Sequence, residues 1–145
     1  MKVTKIIKAK EPKPLKQLPE TVNHIAFDTN FLVYMIKQKV NAIEQIEKLL
    51  SGHNKYFISD QVTAEIGRMD DGLKTKKLAV LIRSELNRHE VKKITILAGN
   101  ADKALIELSK KGFFVCTNDK LLKKRINKSG GKIIQFRQKK LIDIY

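Results

Sequence analysis

Cysteine, histidine, acidic residues and long apolar runs are all scarce in this chain of 145 residues. Its single cysteine, Cys116, excludes both a disulfide framework and a cysteine-based zinc site within one chain. The three histidines share no ligand spacing, so none is assigned to a metal or to catalysis. No apolar run reaches the roughly 18 residues that a membrane helix requires, so a membrane is not an expected partner. Because the basic N-terminus also lacks the apolar segment of a signal peptide, we expect a cytoplasmic protein.

Acidic residues are outnumbered two to one, with 30 Lys and Arg against 15 Asp and Glu, and the formal net charge is +15. An excess of this size indicates a polyanionic partner, with nucleic acid ahead of an anionic membrane. A lysine-rich solvated surface is the plain alternative. The positive charge is concentrated at both ends of the chain, which favours nucleic acid.

The pattern of the chain predicts a basic N-terminal arm over residues 1–22 and one α/β domain over residues 23–145. The prolines of the arm block helix formation in its second half, and basic arms of this kind often bind nucleic acid. In the domain, predicted strands at residues 25–28, 56–58, 94–97, 113–116 and 133–136 alternate with helix-like segments. This alternation predicts a parallel sheet covered by helices on both faces.

Four acidic residues fall at strand-to-helix junctions of this predicted sheet. Asp28 ends the first strand, and Glu65 lies about one turn inside the helix after the second. Asp102 opens the helix after the third strand, and Asp119 follows the fourth. Because ligands bind outside the carboxyl ends of parallel strands, we expect the four to share one edge of the sheet. Asp60, at the start of another helix, is assigned to a helix cap and not to this edge.

Each of these acids also has an ordinary interpretation. Asp28, Asp102 and Asp119 suit the first turn or the cap of a helix, and Glu65 suits a solvated helix face. Taken together, however, four carboxylates in one pocket would repel one another unless a divalent cation lay between them. All-oxygen ligation favours Mg²⁺ or Mn²⁺, and such ions can lower the pKa of a bound water and hold a phosphodiester for in-line attack. The four acids together therefore favour a catalytic metal site.

The same residues resemble those of the PIN-domain ribonucleases. The resemblance covers about residues 23–142 and rests on four short matches: Asp28-Thr29-Asn30, Ala64-Glu65-Ile66, Ala101-Asp102-Lys103-Ala104 and Thr117-Asn118-Asp119. It implies a Rossmann-like fold with parallel strand order 3-2-1-4-5 and an endonuclease that cuts RNA with Mg²⁺ or Mn²⁺. It also implies an acidic quartet that is both catalytic and metal-binding, Asp28, Glu65, Asp102 and Asp119. Three polar neighbours would orient the ligands or the scissile phosphate: Asn30, Thr117 and Asn118.

Two stretches further resemble the branch of the family that processes small-subunit ribosomal RNA precursors, residues 27–31 and residues 119–126. This resemblance implies a precursor ribosomal RNA as partner, with ribosome-assembly proteins as further candidates, and leaves the oligomeric state open, a dimer included. The cations that follow Asp119 are expected to contact the RNA backbone: Lys120, Lys123, Lys124 and Arg125. A solvated lysine helix is the alternative. Aromatic stacking on RNA is not favoured, since Phe57, Phe113, Phe114 and Phe136 lie in strand-like runs typical of a core.

The leading hypothesis is a metal-dependent endoribonuclease that acts in ribosomal RNA processing. A toxin ribonuclease of a toxin–antitoxin pair would share the acidic pattern, although the basic arm and C-terminal segment favour a large structured RNA. A non-catalytic RNA-binding assembly factor would keep the fold without cutting. A DNA nuclease of related fold is a fourth, less favoured alternative.

Overall fold

Six strands form one sheet in the order β3-β2-β1-β4-β5-β6 in the computed structural model of this protein, which describes residues 21–145. The strands are Val22–Phe27 (β1), His53–Ser59 (β2), Lys92–Ile94 (β3), Phe114–Cys116 (β4), Lys132–Gln138 (β5) and Leu141–Ile144 (β6). Strands β1 to β5 run parallel, and β6 runs antiparallel to β5. The α/β fold and the parallel order 3-2-1-4-5 are thus confirmed. Nearly all of the predicted basic arm lies outside the described residues.

Six α-helices connect the described strands. They are Thr29–Lys37 (α1), Ala42–Leu49 (α2), Asp60–Arg68 (α3), Leu73–Arg88 (α4), Ala101–Lys110 (α5) and Lys120–Lys128 (α6), with a 3-10 turn, Met69–Asp71, between α3 and α4. In residues 21–145, no helix combines the length and the apolar character needed to cross a membrane.

The central strand β1 divides the core into two layers. Ile25 and Phe27 pack with residues of α1 to α4, whereas Ala26 packs on the other face with residues of α5 and α6. All three side chains are fully buried. A strand that is covered on both faces is a continuous apolar run in the sequence, which is why this short strand could be predicted. Its carboxyl end delivers the next residue, Asp28, to the edge of the sheet.

The sixth strand was not predicted, because the turn that precedes it is strongly charged and hides the strand pattern. Strand β6 pairs with β5 through a register shift between Phe136 and Gln138. The hairpin is tied to α2 by Gln45, which donates from Nε2 to Lys140 O at 2.8 Å and accepts from Ile142 N at 2.9 Å. The edge strand β6 therefore belongs to the packed domain and is not a loose tail.

The predicted third strand, residues 94–97, is wrong in position. Strand β3 pairs only with the last three residues of β2, Phe57 to Ser59, and ends at Ile94. Leu97 lies beyond it in the loop before α5 and is fully exposed. The apolar character of residues 94–97 therefore does not mark a buried strand here.

Gly131 lies where the turn after α6 packs against α5, and it should not tolerate a side chain. A Cβ built at Gly131 would lie 1.9 Å from Ser109 Oγ and 2.5 Å from Ile126 Cγ2, and both of these residues are buried. We expect Gly131→Ala to lower the free energy of unfolding by about 1–3 kcal/mol, because overpacking moves neighbouring side chains. Urea denaturation measures the change.

The matched control is Gly67→Ala in α3, where an added Cβ meets nothing within 4 Å. This substitution should raise the free energy of unfolding by about 0.5–1 kcal/mol, because alanine is the better helix former. A Gly131→Ala protein as stable as the wild type would show that the turn can relax freely.

Candidate active site

Asp28 is the one acidic residue among residues 21–145 that is buried, with 6% of its surface exposed. It stands at the N-cap position of α1 but makes no capping hydrogen bond with its side chain. Its Oδ2 instead accepts a hydrogen bond from Thr117 Oγ1 at 2.7 Å, and its backbone N–H donates to Cys116 O at 2.9 Å. The interpretation of Asp28 as an ordinary helix cap is therefore wrong. The carboxylate is held at the carboxyl ends of β1 and β4.

Burial raises the pKa of Asp28 from its ordinary value of 3.8 to about 6. The hydrogen bond from Thr117 opposes this shift, while the negative charges of Asp102 and Glu65 add to it. A cation placed beside Asp28 would act in the opposite direction and lower the pKa of this carboxyl. The electrostatics at the end of β1 therefore favour a positive ligand.

Glu65 lies in α3 and points toward the start of α1. Its Oε1 accepts a hydrogen bond from Thr29 Oγ1, and Thr29 directly follows Asp28 in the chain. The Glu65 side chain is only partly exposed. It is thus held beside the Asp28 region, and the alternative of a freely solvated helix face does not apply.

Asp102 occupies the first turn of α5 without capping that helix. The cap is Asn100, whose Oδ1 accepts from Lys103 N at 2.9 Å. Asp102 raises the pKa of Asp28, so the two carboxylates are close enough to interact electrostatically. This is the neighbour that the junction argument predicted for Asp28.

The loop before α5 is held by two residues at the start of α3. Asp60 Oδ1 accepts from Ile96 N at 3.2 Å, and Gln61 Nε2 donates to Ile96 O at 2.8 Å and to Ala98 O at 3.2 Å. The cap of α3 is Ser59, whose Oγ accepts from Val62 N at 3.1 Å. The prediction that Asp60 caps its own helix is therefore wrong. Asp60 and Gln61 instead fix the loop that leads to Asp102.

Asp119 caps α6, as its ordinary interpretation proposed. Its Oδ1 accepts from Leu122 N at 3.0 Å, and its backbone N–H donates to Thr117 Oγ1 at 3.1 Å. The buried hydroxyl of Thr117 thus accepts from Asp119 and donates to Asp28. Sequence reasoning assigned Thr117 to the site but did not show that it joins these two acids.

The two asparagines of the predicted site differ in their surroundings. Asn118 is partly buried, and its Oδ1 accepts from Phe136 N at 3.0 Å, which connects the end of β4 to β5. Asn30 is exposed in the first turn of α1. Their predicted role in orienting a ligand stays a prediction.

The donor chemistry of this edge suits a hard divalent cation. The negative charges of Glu65 and Asp102 both act on the Asp28 carboxylate, and the burial of Asp28 makes a nearby positive charge favourable. Within residues 21–145, however, no three Asp, Glu, His or Cys side chains meet the geometry of a metal site as they stand. The acidic quartet, with Asp119 as its fourth member, therefore stays a prediction as a set of metal ligands.

The basic residues of α6 begin immediately after Asp119. Lys120, Lys124 and Arg125 are exposed, so they are available to a polyanion. Lys123 is partly buried and donates from Nζ to Gln135 Oε1 at 2.6 Å. The predicted RNA-contacting set thus divides into three exposed cations and one that also connects α6 to β5.

Comparison with known proteins identifies the class of protein to which this fold and this group of acidic residues belong. The sequence model described as PIN like domain matches residues 25–139. The chain therefore belongs to the PIN-domain family, whose members are generally metal-dependent nucleases.

Particular relatives extend this assignment. Ribonuclease VapC4 of Methanocaldococcus jannaschii is 33% identical over 124 residues, which cover 81% of this chain and 93% of that protein. The rRNA-processing protein fcf1 of Schizosaccharomyces pombe is 30% identical over 129 residues, which cover 83% of this chain and 65% of that protein. A solved structure of the PIN domain endonuclease Utp24 is similar with a TM-score of 0.68 at 26% identity, covering 83% of this chain and 90% of that one. The chain is thus a PIN-domain nuclease with relatives in two functional groups.

Asp28→Asn should stabilise the protein at neutral pH in the presence of EDTA. The folded state binds the Asp28 proton more tightly than the unfolded chain, with a pKa of about 6 against 3.8, so ionisation of Asp28 opposes folding as the pH rises. The asparagine should raise the free energy of unfolding at pH 7.5 by at most about 3 kcal/mol. This gain should shrink as the pH falls through 6 and vanish near 4.

Thermal unfolding followed by circular dichroism at several pH values measures this difference. The exposed Asp71→Asn is the control for the loss of one carboxylate at the protein surface. A gain for Asp28→Asn that is independent of pH would contradict the assigned pKa shift.

Thr117→Val should raise the pKa of Asp28 above about 6, because it removes the hydroxyl that donates to this carboxylate. It should also lower the free energy of unfolding by about 1–3 kcal/mol, since buried polar groups lose their partner. Thr117→Ser keeps the hydroxyl and should leave both quantities close to those of the wild type. Carboxyl ¹³C chemical shifts followed by NMR titration measure the pKa, and an unchanged value in Thr117→Val would refute this role of the hydroxyl.

Proposed function

We propose that this protein is a metal-dependent endoribonuclease that acts in the maturation of small-subunit ribosomal RNA. The observation that carries the proposal is the state of Asp28. It is a buried carboxylate at the end of the central strand, turned away from its helix toward Thr117, and its pKa is raised by burial and by Asp102 and Glu65. Helix capping does not account for a charged group in this buried position, since Asp28 does not cap its helix. It does suit the binding of a cation.

In this proposal, the ion is Mg²⁺ or Mn²⁺, held by Asp28, Glu65, Asp102 and Asp119. When bound, such an ion lowers the pKa of a coordinated water and neutralises charge that develops on the phosphate. The neighbouring hydroxyls set the orientation of two of the ligands, since Thr117 donates to Asp28 and Thr29 donates to Glu65. Partners that fix the orientation of metal ligands typically change metal affinity or activity by about 10–100-fold when removed.

The charge of the chain supports RNA as the substrate. The net charge is +15, and Lys120, Lys124 and Arg125 lie exposed on the helix that Asp119 caps. A phosphodiester at the acidic edge would place the adjoining backbone phosphates near these cations. Contacts of this kind give affinity without reading the sequence and weaken steeply as salt is added.

The name of one relative favours ribosomal RNA as the particular substrate. The protein fcf1 is described as an rRNA-processing protein, and this chain aligns with 65% of its length. The chain thus spans slightly less than two thirds of that relative. Ribosome-assembly proteins are the partners that this role implies.

A ribonuclease of the VapC type is the second candidate function. One observation favours it: the chain covers 93% of the length of ribonuclease VapC4, at 33% identity. In this case, expression should arrest growth, and the product of a neighbouring gene should relieve the arrest. If expression of an active protein left growth unchanged, that result would contradict the VapC-type function.

The decisive test incubates the purified full-length protein with a small-subunit precursor RNA that spans both mature ends. Discrete cuts should appear with Mn²⁺ or Mg²⁺ and not with EDTA, and a DNA of the same sequence should stay intact. Asp28→Asn and Asp119→Asn should each reduce the cleavage rate by more than about 100-fold, because each removes a proposed metal ligand. Asp71 is an exposed acid in the turn between α3 and α4, and Asp71→Asn should cut the RNA like the wild type.

Metal binding provides a second readout that does not require the right RNA. Mn²⁺ should raise the thermal midpoint of the wild type and of Asp71→Asn but not that of Asp28→Asn, because a ligand that binds the folded state stabilises it. Cleavage that is equal in the wild type and Asp28→Asn would refute the proposal. Manganese binding and RNA binding without any cleavage would support the non-catalytic assembly factor.

A further inference from the structure

A shallow, wide-open surface cavity of about 430 Å³ lies beside the candidate active site, at the carboxyl end of β5. It is lined by Tyr34, Asn118, Phe136, Arg137, Gln138 and Lys139. Asn118 connects the cavity to the candidate active site, because its two neighbours in the chain belong to that site. Thr117 donates a hydrogen bond to Asp28, and Asp119 donates one to Thr117.

The wall of the cavity contains an aromatic pair that is anchored in the core. The ring centroid of Phe136 lies 4.8 Å from that of the buried Phe31 and 4.6 Å from that of Tyr34. Tyr34 and Phe136 are themselves only partly buried. The sequence-based assignment of Phe136 to the core is thus incomplete, because this ring belongs both to the core and to the cavity. Aromatic rings in such positions are the usual platform for an unpaired nucleobase.

Hydrogen bonds to neighbouring elements fix the positions of Tyr34 and Phe136. Tyr34 donates from its hydroxyl to Lys139 O at 3.0 Å, and Phe136 N donates to Asn118 Oδ1 at 3.0 Å. The register shift of the β5–β6 pairing lies between Phe136 and Gln138, at Arg137. Bulges of this kind re-aim side chains next to active sites. The cavity is therefore a preformed feature of the hairpin.

Polar groups complete the lining. The Oδ1 of Asn118 is occupied by Phe136, while its side-chain N–H groups donate to no other residue within 21–145. These groups are available to an acceptor on a base. Lys139 is exposed, and Arg137 is exposed while its Nε lies 3.4 Å from Asp143 Oδ2. The cavity thus combines an aromatic surface, an amide donor and two cations.

We propose that this Tyr34–Phe136 pocket binds one unpaired nucleotide of the RNA strand adjacent to the phosphate that is cut. The base stacks on the aromatic pair, the Asn118 amide donates to an acceptor on that base, and Arg137 and Lys139 contact its phosphates. The proposal rests on the proposed function, since it assigns a part of the substrate to a place beside the same acidic edge. It requires single-stranded RNA, because a base inside a duplex cannot reach a ring on the protein surface.

The test measures binding of the full-length protein to a short unstructured RNA by fluorescence anisotropy, with EDTA present so that no strand is cut. Tyr34→Ala should raise the Kd by about 5- to 100-fold, because stacking on an aromatic side chain contributes in this range. Tyr34→Phe keeps the ring but loses the hydrogen bond to Lys139 O, and it should bind like the wild type. An equally short RNA duplex should bind more weakly than the single strand.

The matched control is Tyr145→Ala, which removes an exposed aromatic ring at the opposite end of the same hairpin. Tyr145 pairs through its backbone with Ile133, at the start of β5, so its loss should leave the Kd unchanged. Circular dichroism establishes that each variant is folded. As a second readout on the wild type, photocrosslinking of RNA that contains 4-thiouridine should label the peptide that carries Tyr34 or Phe136.

The outcomes separate this inference from the proposed function. If the wild type cuts the precursor RNA and Tyr34→Ala binds and cuts equally well, the pocket proposal is overturned and the function stands. If Tyr34→Phe loses as much affinity as Tyr34→Ala, stacking is overturned, because the residue would act only by holding the Lys139 backbone. A wild type that binds no RNA overturns both proposals.

Discussion

The hydrogen bond from the Thr117 hydroxyl to the Asp28 carboxylate is the interaction on which the rest of the site depends. It joins the end of β1 to the end of β4, between residues 89 positions apart in the sequence. The same oxygen of Thr117 accepts from Asp119 N, so one buried hydroxyl sets the positions of two acids. Because the hydroxyl is fully buried, water cannot easily replace it as a partner. Each of the other acids then adds its charge around this fixed pair.

The sequence was most informative where local pattern and tertiary environment agree. The run Ile25-Ala26-Phe27 is apolar because both faces of the central strand are covered, and the acid that follows must lie at the carboxyl edge. The same rule placed Glu65 and Asp102 near that edge, and the pKa of Asp28 reflects both of their charges. The parallel sheet and the approximate grouping of the acids could therefore be predicted from the pattern of a single sequence, whereas the strand order was predicted only through the family resemblance.

The hydrogen bonds that each individual acid makes could not be predicted in this way. Asp28 and Asp119 are the same residue type at the same kind of helix start, yet one leaves its helix uncapped and the other caps it. The difference arises from the Thr117 side chain, which a local pattern does not reveal. The cavity at Phe136 was missed for a related reason, since a phenylalanine in a strand looks like a core residue whether or not one edge of its ring is open. Asp60 was misassigned because its partner, Ile96, lies in another part of the chain.

The sheet order also determines when the candidate active site can form during synthesis of the chain. A nascent chain that has left the ribosome only as far as β3 contains Asp28 and Glu65 but lacks β4, the strand that neighbours β1 on its other side. Until β4 has paired with β1, Asp28 lacks its partner Thr117, and Asp119, which follows β4, is not held beside Asp28. A chain broken just before β4 therefore contains Asp28, Glu65 and Asp102 but lacks Thr117 and Asp119. The candidate active site can therefore form only after β4 has been synthesised and has paired with β1.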